Sequence, residues 1–451
     1  MIKNTLPELL MPAGNFEKLK FAFKYGADAV YAGVPIFSLR ARENDFTKDT
    51  IKEAIEYTHK LGKRIYLTMN IYAHNRKVDR FLDAFLEMAD LGPDGFIMTD
   101  PGLIHKSLKA RPNSVIHLST QANSTNWATV EFWRDLGLKR IILPRELTIA
   151  EMAMIHDKVP DIELEAFVHG AVCIAYSGRC LISNYLNHRD ANQGTCTNSC
   201  RWQYSLAVDK QSLLDAEKDF VNDEEYHPLV ANYTLSEMEE SEKRFVKEQF
   251  EIDEDQHGTY IMNSKDLCAV ELLKELNDAG ISSFKVEGRS KSIYYVATTA
   301  RAYRRATDDL LAERPFNPDN LRELVSTSNR TLITGFMRKN PKEYAINYED
   351  GTSQPLTHRF AGMVQNYNPR SGIVDLNFKN KVQLGDTLEW ITPDKTVSQK
   401  VEYLAKPTGE RVDVAHGGLL YQTTAPFEPD EFTLVRLVLN AAVVQSLDAK
   451  Y

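Results

Sequence analysis

No stretch of this chain approaches the ~20 consecutive apolar residues that a membrane-spanning helix requires. The opening segment, MIKNTLPELLMPAGNFEK, has neither the charged lead-in and long apolar core nor the small-residue cleavage site of a secretory signal, so a cytoplasmic location is expected. Cysteine is scarce: five among 451 residues cannot supply a disulfide scaffold. Positive charge is in deficit too, with 54 Lys and Arg against 63 Asp and Glu, a net charge of -9. Such a surface has no global attraction for nucleic acid or anionic lipid, and contact with RNA needs a local basic patch. Two hydrolase signatures, the His-Glu-x-x-His helix and the Gly-x-Ser-x-Gly elbow, are missing. What remains is a composition of 43% hydrophobic and 26% charged residues, that of a folded protein, at a length that predicts one large and one smaller domain.

The first 330 residues repeat a short apolar run, a polar turn and a segment with helical spacing. The runs are Glu8 to Gly14, Ala29 to Val34, Arg64 to Asn70, Gly95 to Asp100, Ile116 to Asn123, Arg140 to Glu146, Glu163 to Gly170 and Ser283 to Arg289. Helices are expected near 15–25, 48–61, 77–91, 101–109, 125–136, 148–157, 265–279 and 291–308. Eight strands alternating with eight helices predict an α/β fold, a (β/α)8 TIM-like barrel over 1–335, in preference to a doubly wound open sheet. Polar residues gather at the carboxyl ends of these runs (Asn70, Asp100, Gln121, Asn123, Arg145, Glu146, His169, Glu287 and Arg289), where such barrels build active sites. An insertion from Ala171 to Ser264 interrupts the pattern. Its acidic part, Asp209 to Asp255, reads as a solvated excursion with no assigned chemistry. From Gln354 onward, six strand-like runs predict a small all-β, barrel-like domain over 354–451.

The insertion opens with a cysteine cluster, Cys-x6-Cys-x15-Cys-x3-Cys, formed by Cys173, Cys180, Cys196 and Cys200. Four thiolates within 28 residues, interleaved with glycines and placed after a barrel strand, match the demand of a soft metal for sulfur ligands. Paired Cys-x2-Cys knuckles, typical of structural zinc, are missing, and so is Cys-x3-Cys-x2-Cys. An iron-sulfur cluster held by scattered cysteines is therefore expected. Cys173, Cys180 and Cys196 are the firmer ligands. The fourth is either Cys200, nearby, or Cys268, which is expected at the start of a helix where the dipole favours a thiolate.

The segment EAFVHGAVC from Glu165, followed by SGRC at Ser177, resembles the signature of the collagenase-like peptidase family of unclassified catalytic type, peptidase family U-32. The resemblance covers most of the chain: PAGN at Pro12, DAVYAG at Asp28, STQAN at Ser119, LPREL at Leu143, GTCTNSCRW at Gly194, MNSKDLC at Met262, KVEGR at Lys285 and NRTLITGF at Asn329. Within the family, the acidic insertion and terminal β domain resemble the branch implicated in tRNA hydroxylation. That implies 5-hydroxyuridine formation at the wobble position, oxygen-independent and dependent on prephenate, with a [4Fe-4S] cluster. It also implies the tRNA anticodon loop and prephenate as partners, together with iron-sulfur delivery and electron-donor proteins. Two other classes stay open: a U-32-type peptidase, with His169 and Cys173 as a nucleophile pair, and a metal-stabilised RNA-binding or assembly protein without catalysis of its own.

If prephenate is the co-substrate, its two carboxylates call for guanidinium forks. Arg145 and Arg289 end the sixth and eighth strands, and Arg40 and Arg42 follow the second. Glu146, Glu165 and Glu287 are candidate proton acceptors or partners of these arginines, and His169 a base or an orienter. The assignment is thus His169, Glu165, Glu287 and Arg145 as catalytic candidates, and Arg40, Arg42, Arg289, Gln121 and Asn123 as substrate contacts. For RNA, the basic pieces RARENDFTK, HNRKVDR, CRW, EGRSKS and RAYRR include or adjoin Tyr72, Trp202, Tyr204, Tyr294 and Tyr303, aromatics suited to stacking on unpaired bases.

Overall fold

The computed structural model describes residues 7–39, 45–173, 175–183, 189–196, 265–328, 330–338 and 357–439, together with the backbone of two short strands at 205–207 and 232–234. Eight parallel strands close on themselves: β1 (Glu8–Ala13), β2 (Ala29–Gly33), β3 (Arg64–Met69), β4 (Gly95–Met98), β5 (Ile116–Leu118), β6 (Arg140–Ile142), β7 (Glu163–Gly170) and, after the hairpin strands β8 (Ser205–Ala207) and β9 (Asn232–Thr234) and the strand β10 (Asp266–Cys268), β11 (Ile281–Val286). β11 pairs with both β1 and β7 and completes the barrel. The helices α1 (Phe16–Lys24), α2 (Lys48–Lys60), α3 (Val78–Asp90), α4 (Pro101–Ala110), α5 (Trp127–Asp135), α6 (Ile149–Lys158), α7 (Leu273–Asp278) and α8 (Ile293–Leu311) form the outer ring, and α9 (Asp319–Thr327) follows. Their starts are coded locally. Thr148 and Glu151 form a reciprocal capping box on α6, and Asp100 caps α4 ahead of Pro101.

One expected helix begins late. Residues 266–268 form β10 instead of the first turn of a helix, and α7 starts at Leu273. The reason is the length of β7, eight residues against three in β6, whose far end has backbone groups to satisfy. β10 covers them in antiparallel fashion, with Leu267 opposite Gly170 and Cys268 opposite His169.

The carboxyl-terminal part is an antiparallel sheet in the order β15-β14-β17-β12-β13-β16, where β12 is His358–Asn368, β13 Ile373–Phe378, β14 Thr387–Ile391, β15 Thr396–Lys400, β16 Leu420–Thr424 and β17 Leu434–Val438. Its two edges meet through Gln399 and Thr424 and through the Ala405–Gln422 bridge, so the sheet curls into a partly closed barrel around Trp390, Phe378 and Leu376. This domain is clasped to α1, α8 and α9. Tyr25 donates to the carbonyls of Ile391 and Phe432 (2.9 and 2.8 Å). Arg436 reaches Ser326 at 2.9 Å, and Tyr294 stacks on Phe360.

The basic piece RAYRR is absorbed by this clasp. Arg301 is buried, with Nε 3.0 Å from Glu323 and Nη1 2.7 Å from the Thr392 carbonyl, and Arg305 binds the carbonyls of Pro393 and Asp394. Tyr294 and Tyr303 are buried too, which removes both from the set of candidate RNA contacts. Because Glu323 is itself only 8% exposed, Arg301→Ala should leave it with the more distant Arg305 alone. Urea melts of the full chain should then show a loss of about 3–5 kcal/mol. A loss below about 1 kcal/mol would mean that the ion pair adds little beyond the packing around it.

Candidate active site

The floor of the barrel interior is ionic. Glu8, Arg140, Glu165 and Lys285 are all buried. Arg140 Nη1 lies 2.6 Å from Glu8 and 3.0 Å from Glu165, and Lys285 Nζ lies 2.6 Å from the other oxygen of Glu165. Tyr66 and Ser283 add hydrogen bonds to Glu8. Burial alone would push the Glu165 carboxyl up, but Lys285 and Arg140 outweigh it and hold it below the usual glutamate range. Lys285 is lowered by burial in spite of Glu165. His117, buried beside these cations, is held well below its ordinary range by burial and by Arg140, Lys285 and Arg64, and is neutral.

Above this floor, at the carboxyl ends of the strands, lies a cavity of about 620 Å³ that includes the solvent it opens onto. Arg145, Lys285, Glu287, Arg289, Gln121 and Cys173 contribute its polar wall; Tyr31, Ile142 and Phe167 contribute its apolar one. With Lys285 neutralised by Glu165 in the floor, Arg145 and Arg289 face Glu287 across the cavity, an excess of one positive charge that favours an anion. The Arg145 guanidinium stacks on Phe167 at 3.7 Å from the ring centroid and stands 3.7 Å from Glu287. Among the described residues its buried Nε has no hydrogen-bond partner, which leaves a donor for a ligand. Arg289 is held by Ser38 (2.6 Å), Thr68 (2.9 Å) and the Leu39 carbonyl.

The cysteine-bearing segment is fastened across the mouth. Glu146 accepts from the Ser177 N–H at 2.6 Å and from its hydroxyl at 3.2 Å. Gly178, at φ +75°, lies against the Gln121 carbonyl, where a Cβ would come within 2.0 Å. The following stretch is tied to Tyr72, whose N–H donates to the Asn192 carbonyl and whose own carbonyl accepts from the Gln193 side chain. These ties bring Cys173, exposed, near Cys180 and Cys196, both half-buried. Burial raises the Cys180 thiol, and Cys173 and Cys196 are near enough to act on it and raise it further. Among the described residues, no three His, Cys, Asp or Glu side chains stand close enough to share a metal ion as placed. Cys200 lies outside the described residues, as do Arg40, Arg42, Trp202 and Tyr204.

A strand-built floor, a cationic cavity and a sulfur-bearing strap belong to a recognisable set of proteins. Residues 14–347 match the model of peptidase family U32, and residues 356–436 match the model of the family's C-terminal domain. This chain belongs to peptidase family U32. Two similar proteins are each called tRNA hydroxylation protein P. That of Haemophilus influenzae is 45% identical over 421 residues, covering 91% of either chain; that of Escherichia coli is 43% identical, covering 91% of this chain and 92% of its own. The 23S rRNA 5-hydroxycytidine C2501 synthase of Escherichia coli is 30% identical over 307 residues, 68% of this chain and 40% of that one.

Against this U32 framework, the expected site residues fall into three groups. Arg145, Glu287, Arg289, Gln121 and Cys173 meet at the cavity. Glu165 does not: it belongs to the ionic floor, with both oxygens engaged, so its role as a catalytic base is corrected to a structural one. Asn123 ends a short turn in the left-handed region (φ 53°) and is not among the residues lining the cavity. His169 is corrected as well. Between the pairs Phe167–Lys285 and His169–Val286 the register slips by one residue, so His169 shares the outward face of Val286. It lies against Tyr303, whose hydroxyl donates to the Val168 carbonyl and stands 3.3 Å from His169 Nδ1. That nitrogen is thereby withdrawn from any nucleophile pair with Cys173. Cys268 is buried beside the same tyrosine at 3.8 Å, in a strand that leads straight into the 3-10 turn Val270–Leu272 ahead of α7; burial pushes its thiol up to about 11 and outweighs the hydrogen bond from Val270 at that turn. The expected dipole-stabilised thiolate is corrected to a protonated core thiol.

Sequence reasoning missed Lys285, Phe167 and Glu8. The first is legible in the alternation Lys285, Glu287, Arg289, which gives one inward face.

Burial holds His169 neutral, with its pKa pushed down to about 3. An unfolded histidine titrates near 6.5, so this contribution to stability is fully present above about pH 6.5 and is lost as pH falls toward 3. Between pH 6 and 4, the unfolding free energy of the native protein should fall more steeply than that of His169→Gln, by up to about 1.4 kcal/mol per pH unit. Equal slopes in parallel urea titrations would show that the ring is not buried in its neutral form.

Proposed function

We propose that this protein hydroxylates RNA, and specifically that it forms 5-hydroxyuridine at the wobble position of tRNA. The observation that carries the reading is the juxtaposition of a cationic cavity at the barrel mouth with Cys173 in its wall and Cys180 and Cys196 beside it. It is supported by the 43–45% identity, over nine-tenths of the chain, to proteins named for tRNA hydroxylation, and by the rRNA hydroxycytidine synthase among its relatives.

Hydroxylation at C5 of uracil replaces C–H by C–OH: an oxygen atom enters from water or a co-substrate, and two protons and two electrons leave, the electrons through a redox centre to an external acceptor, which acid-base side chains alone cannot provide. Cys173, Cys180 and Cys196, with Cys200 from the same segment, form a donor set suited to a [4Fe-4S] cluster, whose contribution when bound is electron exchange. The chain's own residues then do the positioning. Arg145, with its free Nε, and Arg289 would hold the carboxylates of prephenate in the cavity, over a floor kept rigid by Glu165, Arg140 and Lys285. Glu287, 3.7 Å from Arg145, would be the carboxylate that accepts or returns a proton there.

Anaerobically purified protein should carry iron and sulfide, absorb in the visible, and convert unmodified tRNA to a product in which digestion and mass spectrometry find 5-hydroxyuridine, only when prephenate is supplied. Cys180→Ser and Cys196→Ser should lose iron and product together. Full conversion by colourless, iron-free protein would end the cluster proposal. Peptide cleavage surviving both replacements would return the peptidase reading.

A further inference from the structure

We propose that the turn from Tyr176 to Leu181 is a ledge on which one unpaired RNA nucleotide rests, its base stacked on the Tyr176 ring and its phosphate held by Arg179. The inference deepens the RNA reading above and rests on it. Tyr176 is 63% exposed and Leu181 65%, an unusual pair of apolar groups to leave in water on either side of an exposed arginine.

The ledge is exposed but anchored. The Arg179 N–H donates to the Tyr176 carbonyl at 3.0 Å and closes the turn. The two residues between them are fixed from below: Ser177 is buried and bound by Glu146, and Gly178 lies against the Gln121 carbonyl. The backbone is therefore held while the Tyr176 and Arg179 side chains project outward. Tyrosine in such a setting offers a large flat surface at little cost in side-chain freedom.

Charge selects the partner. Arg179 is near enough to Tyr72 to act on its hydroxyl, which burial otherwise pushes up. On the other side of Tyr72, Lys77 Nζ reaches Gln193 at 2.7 Å, and the exposed Arg76 stands on the same short turn, Asn75–Lys77. The carboxylates of this neighbourhood are engaged: Asp100, which also acts on Tyr72, caps α4, Asp190 accepts from the Asn192 N–H, and Glu146 binds Ser177. A basic rim beside an exposed aromatic fits a sugar-phosphate chain with an unstacked base better than it fits a protein surface. The ledge contains Cys180 and follows closely on Cys173, which lines the cavity, so a nucleotide resting there would lead its neighbour to the cavity.

The test uses the full chain and an unmodified tRNA transcript, with dissociation constants measured by fluorescence anisotropy at several salt concentrations and iron content measured on every variant. Tyr176→Ala should weaken binding about tenfold, whereas Tyr176→Phe, which keeps the ring, should stay within about twofold of the native protein. Arg179→Ala should weaken binding and lower the salt slope by about one. If the native protein binds the transcript but both alanine variants bind it equally well, the ledge falls and the RNA reading stands. If the native protein binds no RNA, both fall. Equal weakening by Tyr176→Ala and Tyr176→Phe, or weakening that tracks loss of iron, would also overturn the stacking role.

Discussion

The pairing of β7 with β11 is the constraint on which the rest of the molecule depends. It closes the barrel, and in doing so it sets Glu165 and Phe167 against Lys285, beside the Arg145–Glu287 pair. It also contains the one-residue slip that sends His169 outward to Tyr303 while Phe167 stays inward. Beyond the slip, Gly170 at φ +103° lets the Glu287 carbonyl approach to where a Cβ would meet it at 2.7 Å. One strand junction thus builds the floor, the cavity wall and the departure point of the cysteine-bearing segment.

Burying four charges in the floor is tolerated because every one is paired, and Glu8, Arg140 and Glu165 more than once. Removing Glu165 would leave Lys285 without its counter-charge in a buried site, which makes the group a rigid base and a poor stock of catalytic acids. The mouth is the opposite case. Arg145 retains an unpartnered donor, and its stacking on Phe167 fixes the plane of the guanidinium without consuming its N–H groups. The same molecule therefore separates charge that supports from charge that can receive a ligand, and the division falls between Glu165 and Glu287, two carboxylates that look alike in the sequence.

The name of family U32 refers to proteolysis, but among the described residues His169 does not pair with Cys173. The ring turns from the mouth toward Tyr303, while Cys173 stays at the cavity, near enough to Cys180 to act on it. A cysteine-bearing segment fastened across a cationic cavity is the arrangement that the proposed RNA hydroxylation would use.

Much of the fold was legible in the sequence. All eight barrel strands and the six main strands of the terminal sheet coincide with apolar runs of the right period, because alternation and turn chemistry are local properties. The gathering of polar groups at the carboxyl ends of the strands followed from the same periodicity, and it found Arg145, Glu287 and Arg289. What tertiary structure alone decided was direction and partnership. A slip of one residue reverses the face of His169, the length of β7 recruits β10 and buries Cys268, and the terminal domain absorbs RAYRR into a clasp. None of these is written locally, since each depends on the backbone and charge that a distant segment brings alongside.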